Sequence, residues 1–113
     1  MTRISKIAKS PPASVENVLN QLGRNIRIAR LRRKLSREQL AERIGISRYV
    51  LADIEKGKPT TAIAAYLGAL WALGLLRDIR EVADPDRDEE GKILERSRSP
   101  KTAPKRRTMD DDF

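Results

Sequence analysis

Hydrophobic residues recur at helical spacing in the first third of the chain. This first apolar stripe consists of Val15, Leu19, Leu22, Ile26 and Ala29. Steps of four and three residues place such positions on one face of a helix, because an α-helix turns once in about 3.6 residues. We therefore expect a first helix that begins at Ser14, its N-cap, and runs to about Lys34.

Two shorter helices with a tight turn between them are predicted over residues 35–58. Ser36 is a suitable N-cap for one helix, which Gly45 ends, and Ser47 is a suitable N-cap for another, which Gly57 ends. The apolar positions are Leu40, Ala41 and Ile44 in the first helix, Ile46 in the turn, and Leu51 and Ile54 in the second. This arrangement is a helix-turn-helix, whose second helix enters the DNA major groove.

The second half of the chain predicts two more helices. Pro59 interrupts the pattern, and Thr60 or Thr61 can cap a fourth helix that runs to Leu73. The fifth helix begins near Leu75, with Leu76, Ile79 and Val82 as its apolar face, and ends before Asp84-Pro85-Asp86.

Three segments follow from this pattern. We expect a flexible basic arm over residues 1–13, an all-α domain of five helices over residues 14–83, and a charged, largely disordered tail over residues 84–113. Within the tail, residues 86–98 are compatible with a short helix or with an extended segment, since Gly91 weakens either prediction.

The fourth predicted helix is apolar around nearly its whole circumference. A domain of this size cannot bury every side of it, and Ile63, Leu67 and Leu70 suffice to face the core. The interface prediction covers Tyr66, Trp71 and Leu75. Because exposed apolar patches commonly mark interfaces, we expect a homodimer, with burial in the domain's own core as the alternative.

Charge and composition exclude several classes of function for this chain. Residues 24–58 hold 11 Lys/Arg against 4 Asp/Glu, which is nearly all of the net charge of +8. The absence of cysteine and histidine removes disulfides, thiolate zinc sites and the commonest general base. We therefore expect no catalytic residues, no cofactor and no metal site, and a surface that binds phosphates.

Localisation follows from the apolar runs. The N-terminus lacks the continuous apolar segment of a secretory signal. The longest apolar run, residues 62–76, has 15 residues, fewer than the roughly 20 that span a bilayer. We expect a cytoplasmic, nucleoid-associated bacterial protein with no membrane contact.

The start of the second motif helix is the predicted base-reading surface, formed by Ser47, Arg48, Tyr49, Ala52 and Asp53. An arginine can bind guanine O6 and N7 with two hydrogen bonds, and an aspartate can accept from cytosine or orient the arginine. The predicted phosphate contacts are Arg37, Lys56 and Lys58.

A structural ion pair is predicted between Arg30 and Glu55. Arg30 borders the buried stripe, and Glu55 lies near the end of the second motif helix. Such a pair would fix the first helix against the recognition helix, a role of geometry more than of stability.

The motif resembles the Xre/Cro family of helix-turn-helix regulators over roughly residues 22–76. The matching positions are Ile26, Arg30, Leu35-Ser36, Leu40-Ala41, Gly45-Ile46-Ser47, Ile54-Glu55 and Gly57-Lys58. The resemblance implies a lambda-repressor-like all-helical domain, a dimer and a palindromic operator in double-stranded DNA. It also implies that Ser47, Arg48, Tyr49 and Asp53 approach bases. The spacing between Gly57-Lys58 and the fourth helix departs from the family pattern.

The segment from Ile63 through the charged tail is similar to HipB-like antitoxins of toxin–antitoxin modules. This second resemblance rests on composition and order, and it implies a repressor of its own operon that binds a HipA-like kinase toxin. Two alternatives remain: a stand-alone phage-type repressor, and a protein–protein inhibitor for which DNA binding is secondary. General RNA binding is disfavoured, because the chain has only four aromatic residues for stacking.

Overall fold

Helices account for all the regular structure in the part of the chain described by the computed structural model, residues 4–98. They are α1 Lys6–Lys9, α2 Ala13–Arg32, α3 Arg37–Ile44, α4 Arg48–Glu55, α5 Ile63–Ala72, a 3₁₀ helix Arg77–Glu81, and α6 Glu89–Arg98. The predicted all-α class is confirmed. Within these residues, no helix has both the length and the apolar content needed to cross a membrane.

The chain divides into two units between Ile79 and Arg80. In the first unit, α4 packs against α2, α3 and α5, and α3 also packs against α5. The largest fully buried side chains are Ile26, Leu40, Leu51 and Ile54. The centre of the core therefore contains at least one residue from each of α2, α3 and α4. The helix α4 is in contact with three other helices.

The two motif helices have the capping residues that the sequence predicts. Ser36 Oγ accepts a hydrogen bond from Gln39 N, and Gln39 Oε1 accepts one from Ser36 N, which is a complete capping box. Gly45 ends α3 with a left-handed φ of 85°. Ser47 Oγ accepts from Val50 N, so α4 begins at Arg48.

Two predicted N-caps are wrong. The helix α2 begins at Ala13 with Pro12 in the cap position, so Ser14 lies inside the helix. The helix α5 begins at Ile63 with Ala62 in the cap position. Thr61 N donates to Lys58 O, so the threonines belong to a turn that follows α4 and lie too early to cap α5.

The predicted fifth helix differs from the structure, and the predicted arm and tail each contain a helix. Ser5 caps the short helix α1 within the arm. The fifth helix is a single 3₁₀ segment that ends at Glu81, and Val82 beyond it is 70% exposed. In the tail, Asp88 Oδ1 accepts from Gly91 N at the start of α6, so a helix, one of the two conformations compatible with residues 86–98, forms over Glu89–Arg98. Residues 1–3 and 99–113, the remainder of the arm and tail predictions, lie outside the described residues.

Tyr66 is a buried core residue, so its predicted place in an exposed interface is wrong. It is 4% exposed, whereas Ile63, which was predicted to face the core, is 72% exposed. Tyr66 Oη donates to Lys58 O at 2.8 Å. Because its one polar group is satisfied in this way, the ring can be buried at little cost. The core face of α5 is therefore Tyr66, Ala69 and Leu70.

The environment of Tyr66 predicts a loss of stability at high pH. Burial, and secondarily the negative charge of Asp53, raise the pKa of Tyr66 to about 12 from its ordinary value of 10.0. Between these values the unfolded chain releases the phenol proton and the folded chain keeps it, so rising pH favours unfolding. This effect should remove roughly 2 kcal/mol of the free energy of unfolding between pH 10 and 12.

The variant Tyr66→Phe isolates this contribution from other titrating groups. At pH 8 it should be less stable than the natural chain by about 1 kcal/mol, because Lys58 O loses its hydrogen bond. At pH 12 that deficit should vanish or reverse, as measured by urea unfolding at each pH. An equal deficit at both pH values would contradict the assignment.

A close backbone contact joins α2 to the end of α4. A Cβ placed on Gly23 would lie 2.6 Å from Ile54 O, 2.7 Å from Glu55 O and 2.8 Å from Gly57 N. Gly57 has a left-handed φ of 72°, and a Cβ there would meet the backbone of Leu19 and Asn20. The absence of both side chains lets the two backbones touch, which sets the position of α4 on the domain.

Candidate nucleic-acid interface

The register of α4 separates a buried face from an outer face. Leu51 and Ile54 are fully buried, whereas Tyr49 is 68% exposed. The Arg48 side chain is 55% exposed. Ala52 is half-buried and follows Arg48 by four residues, so the two lie on the same side of the helix. The outer face therefore carries Arg48, Tyr49 and Ala52, three of the five residues that the sequence predicts to read bases.

Ser47 has a structural role that precedes any contact with DNA. Its Oγ accepts the Val50 N–H and so fixes the first turn of α4. A hydroxyl group also has one hydrogen to donate. Ser47 can thus keep its cap and still donate to a phosphate or a base.

A concave surface lies beside the start of α4, and we call it the recognition groove. It is lined by Arg27, Arg30, Ser36, Arg37, Glu38, Arg48, Tyr49 and Ala52, and it has a volume of about 580 Å³. Four of these eight side chains are arginines. The groove therefore combines the outer face of α4 with positive charge from α2 and α3, which favours a phosphate-bearing ligand.

Arg48 is oriented by two neighbours. Its Nη1 donates to Glu38 Oε1 at 3.2 Å, and its Nη2 donates to Tyr49 Oη at 3.0 Å. The guanidinium carbon lies 5.0 Å from the centre of the Tyr49 ring, within cation–π range. The hydrogen bonds to Tyr49 and then Glu38 raise the pKa of Arg48. A hydrogen bond from its own backbone N–H, then the one from Arg48, lower the pKa of Glu38.

Asp53 does not orient Arg48. It follows Arg48 by five residues, which turns it about 140° away around the helix axis. Asp53 Oδ2 instead lies 3.8 Å from Lys58 Nζ. A second concave surface contains Asp53 together with Lys9, Lys56 and Lys58. Asp53 and the two predicted phosphate-binding lysines are thus grouped on the other side of α4.

The Arg30–Glu55 pair is present and includes a third residue. Arg30 Nε donates to Glu55 Oε2 at 2.7 Å and Arg30 Nη2 donates to Oε1 at 3.1 Å, with side chains that are 6% and 2% exposed. Arg30 Nη1 donates to Leu35 O at 2.9 Å. Arg37 Nε donates to Glu55 Oε1 at 3.1 Å, although its side chain is 46% exposed. Glu55 therefore ties α2 and α3 to α4.

Arg37 combines two roles in this arrangement. Its Nε donates to Glu55, and the residue also lines the recognition groove. An arginine has five N–H donors, so the outer ones remain available to a phosphate.

The predicted dimer residues do not share one environment. Trp71 is 62% exposed and Leu75 is 41% exposed, while Tyr66 lies in the core. Trp71 and Leu75 are thus at the surface of the first unit, as the sequence predicts, and Tyr66 is not available to a partner.

Three residues near α4 are not assigned from the sequence: Arg27 and Glu38 in the recognition groove, and Lys9 in the second concave surface. Arg27 precedes Arg30 by three residues, which places the two side by side on α2. This spacing could have identified Arg27 as a groove residue from the sequence. Glu38 reaches Arg48 across the turn between two capped helices. Lys9 approaches Lys56 and Lys58 only through the path of the chain after α1, which no local pattern reveals.

A family comparison agrees with this geometry. A protein-family model described as a helix-turn-helix domain matches residues 21–84, which is more than half of the chain. The chain belongs to the helix-turn-helix domain family. It is accordingly a DNA-binding regulator, and α3, the turn at Gly45 and α4 are its motif. We found no significant match to a curated protein or to a solved structure.

Proposed function

We propose that the protein is a sequence-specific transcriptional repressor that inserts α4 into the major groove of an operator. The observation that carries this proposal is the outer face of α4, where Arg48, Tyr49 and Ala52 project into a groove rich in arginine. In helix-turn-helix proteins, the N-terminal residues of the second helix contact base edges. Lys56 and Lys58 beyond α4, and the outer donors of Arg37, would hold the flanking phosphates.

Arg48→Ala should reduce discrimination between DNA sequences. The natural chain and the variant would be compared on a duplex selected from a random library by the natural chain, and on a scrambled duplex. We expect a loss of at least tenfold on the selected duplex and a much smaller loss on the scrambled one, because a bidentate arginine–guanine contact distinguishes bases. Lys56→Ala is the matched control, with a similar loss on both duplexes. An equal loss on both for Arg48→Ala would assign Arg48 to phosphate alone.

The repressor is proposed to act as a homodimer through the surface around Trp71 and Leu75. Two-fold symmetry would let two copies of α4 read a palindrome, since one copy covers only a half-site. The support is the exposure of Trp71 on α5, whose other face forms the core, and of Leu75 just beyond the end of that helix.

Trp71→Glu should yield monomers and weaken binding to the selected palindrome at least tenfold. A charge at the centre of an apolar interface would be desolvated without a partner, which opposes association. Sedimentation of the natural chain and the variant measures the first effect, and Val82→Glu, another exposed apolar side chain, is the control. An unchanged dimer in Trp71→Glu would place the interface elsewhere.

We further propose that the repressor is a HipB-like antitoxin that binds a HipA-like kinase toxin. The supports are the resemblance of residues 63 onward and the surface of α6, where Ile93 is 58% and Leu94 is 49% exposed. The test is growth of cells that express a kinase encoded beside this gene. Co-expression of the natural chain should restore growth, and Ile93→Glu should abolish the rescue while DNA binding persists. Absence of rescue by the natural chain would favour the stand-alone repressor.

A further inference from the structure

The ion pair between Glu38 and Arg48 is exposed, so it contributes little to the stability of the fold. Glu38 is 62% exposed and Arg48 is 55% exposed at the side chain, and their atoms lie 3.2 Å apart. Exposed ion pairs stabilise proteins only weakly, because water screens the charges and the side chains lose freedom. The pair nevertheless joins the first turn of α3 to the first turn of α4 at the recognition groove.

The geometry leaves Arg48 partly free to bind. Glu38 takes one N–H from Nη1 and Tyr49 Oη takes one from Nη2. The guanidinium has five N–H donors, so three remain for a base. The Tyr49 ring, 5.0 Å from the guanidinium carbon, limits its rotation further. An arginine held in this way loses less conformational freedom when it meets a guanine.

The charge of Glu38 is unusual for its position. It is the one carboxylate among the lining residues of the recognition groove, which otherwise include four arginines. A carboxylate that faces DNA repels phosphates, and it also offsets the positive charge of the arginine that it holds. Nonspecific binding depends on such positive charge, because each phosphate contact releases counterions.

We propose that Glu38 determines the sequence specificity of DNA binding. Its carboxylate positions Arg48 for a guanine and, on other sequences, keeps the guanidinium from binding backbone phosphates. A guanine offers two acceptors in the plane of the guanidinium and can engage the remaining donors. This inference rests on the proposed base-reading role of α4, and it assigns Glu38 as a positioning residue that acts through Arg48.

The test compares Glu38→Gln with Glu42→Gln in the full chain, on the selected duplex and on its scrambled form across a salt series. Both variants remove one negative charge from α3, and Glu42, one turn later, has no ion pair within residues 4–98. Glu38→Gln should bind the scrambled duplex more tightly and lower the specificity ratio about tenfold. Its salt dependence on the scrambled duplex should steepen by about one unit of slope, as Arg48 gains a phosphate. Glu42→Gln should raise affinity for both duplexes equally.

The same change in an Arg48→Ala background separates positioning from simple charge. In that background, Glu38→Gln should raise the affinity for both duplexes by the same factor. The ratio of the affinity for the selected duplex to that for the scrambled one should therefore stay unchanged. An unchanged ratio for Glu38→Gln in the natural background, with the natural chain still preferring the selected duplex, would overturn this inference alone. Failure of the natural chain to prefer any duplex would overturn the proposed function and this inference together.

Discussion

Gly23→Ala should destabilise the first unit by about 3 kcal/mol, the upper end of the usual range for overpacking. The added methyl group would lie within 2.8 Å of three backbone atoms, Ile54 O, Glu55 O and Gly57 N. Backbone atoms cannot rotate away as a side chain can, so α2 and the end of α4 would have to separate. Urea unfolding followed by circular dichroism gives the free energy of unfolding directly.

Gly68→Ala is the control for this change, because it also replaces a helical glycine with alanine. A Cβ on Gly68 would meet only the Ile44 Cγ2 methyl, at 2.9 Å. That side chain can adjust, and alanine favours a helix by about 1 kcal/mol over glycine, so the effect should be near zero. A Gly23→Ala protein as stable as Gly68→Ala would show that α2 and α4 do not make this backbone contact.

Glu55→Gln should cost about 3–5 kcal/mol of unfolding free energy, the range for breaking a buried ion pair. The carboxylate receives three hydrogen bonds from Arg30 and Arg37, and its side chain is 2% exposed. The amide removes the negative charge, which leaves the buried Arg30 cation without a counter-ion. Its NH₂ group would also face guanidinium donors.

The order of effects within this cluster is a sharper test than the size of any one. Arg37→Ala should cost less than about 1 kcal/mol, because Arg37 is 46% exposed and the Arg30–Glu55 pair survives. Arg30→Met should lie between the two variants, since Glu55 would keep Arg37 as a partner. Urea unfolding of the three proteins measures the order. If Arg37→Ala were the most damaging, Arg30 would not be the main partner of Glu55, and the assignment of the buried pair would be wrong.

Local patterns predicted much of this fold. A capping residue bonds to backbone groups within one helical turn, so the caps Ser36, Ser47 and Gly45 can be recognised from the sequence. The apolar face of α4 can also be recognised from the sequence, since Leu51 and Ile54 follow helical spacing. These signals located α3, the turn and α4 almost to the residue, and with them the outer face that carries Arg48 and Tyr49.

The features that sequence could not supply depend on contacts between distant segments. The core position of Tyr66 requires the Lys58 carbonyl, whose place is set by the turn after Gly57. The contact of Gly23 with Ile54 and Glu55 exists only once α2 lies on α4. The Glu38–Arg48 pair likewise forms only when the two motif helices pack, so the sequence offers Asp53 as one possible partner of Arg48, whereas the structure pairs Arg48 with Glu38.

The most direct test of the central claim is selection of DNA from a random-sequence duplex library by the purified full chain at physiological salt. We expect enrichment of one palindromic sequence, bound by two protomers and preferred over its scrambled form by at least about a thousandfold. Autoregulation further predicts this sequence upstream of the protein's own gene. A library that stays random, with binding that depends steeply on salt but not on sequence, would contradict sequence-specific repression, because only the basic charge would then be recognising DNA.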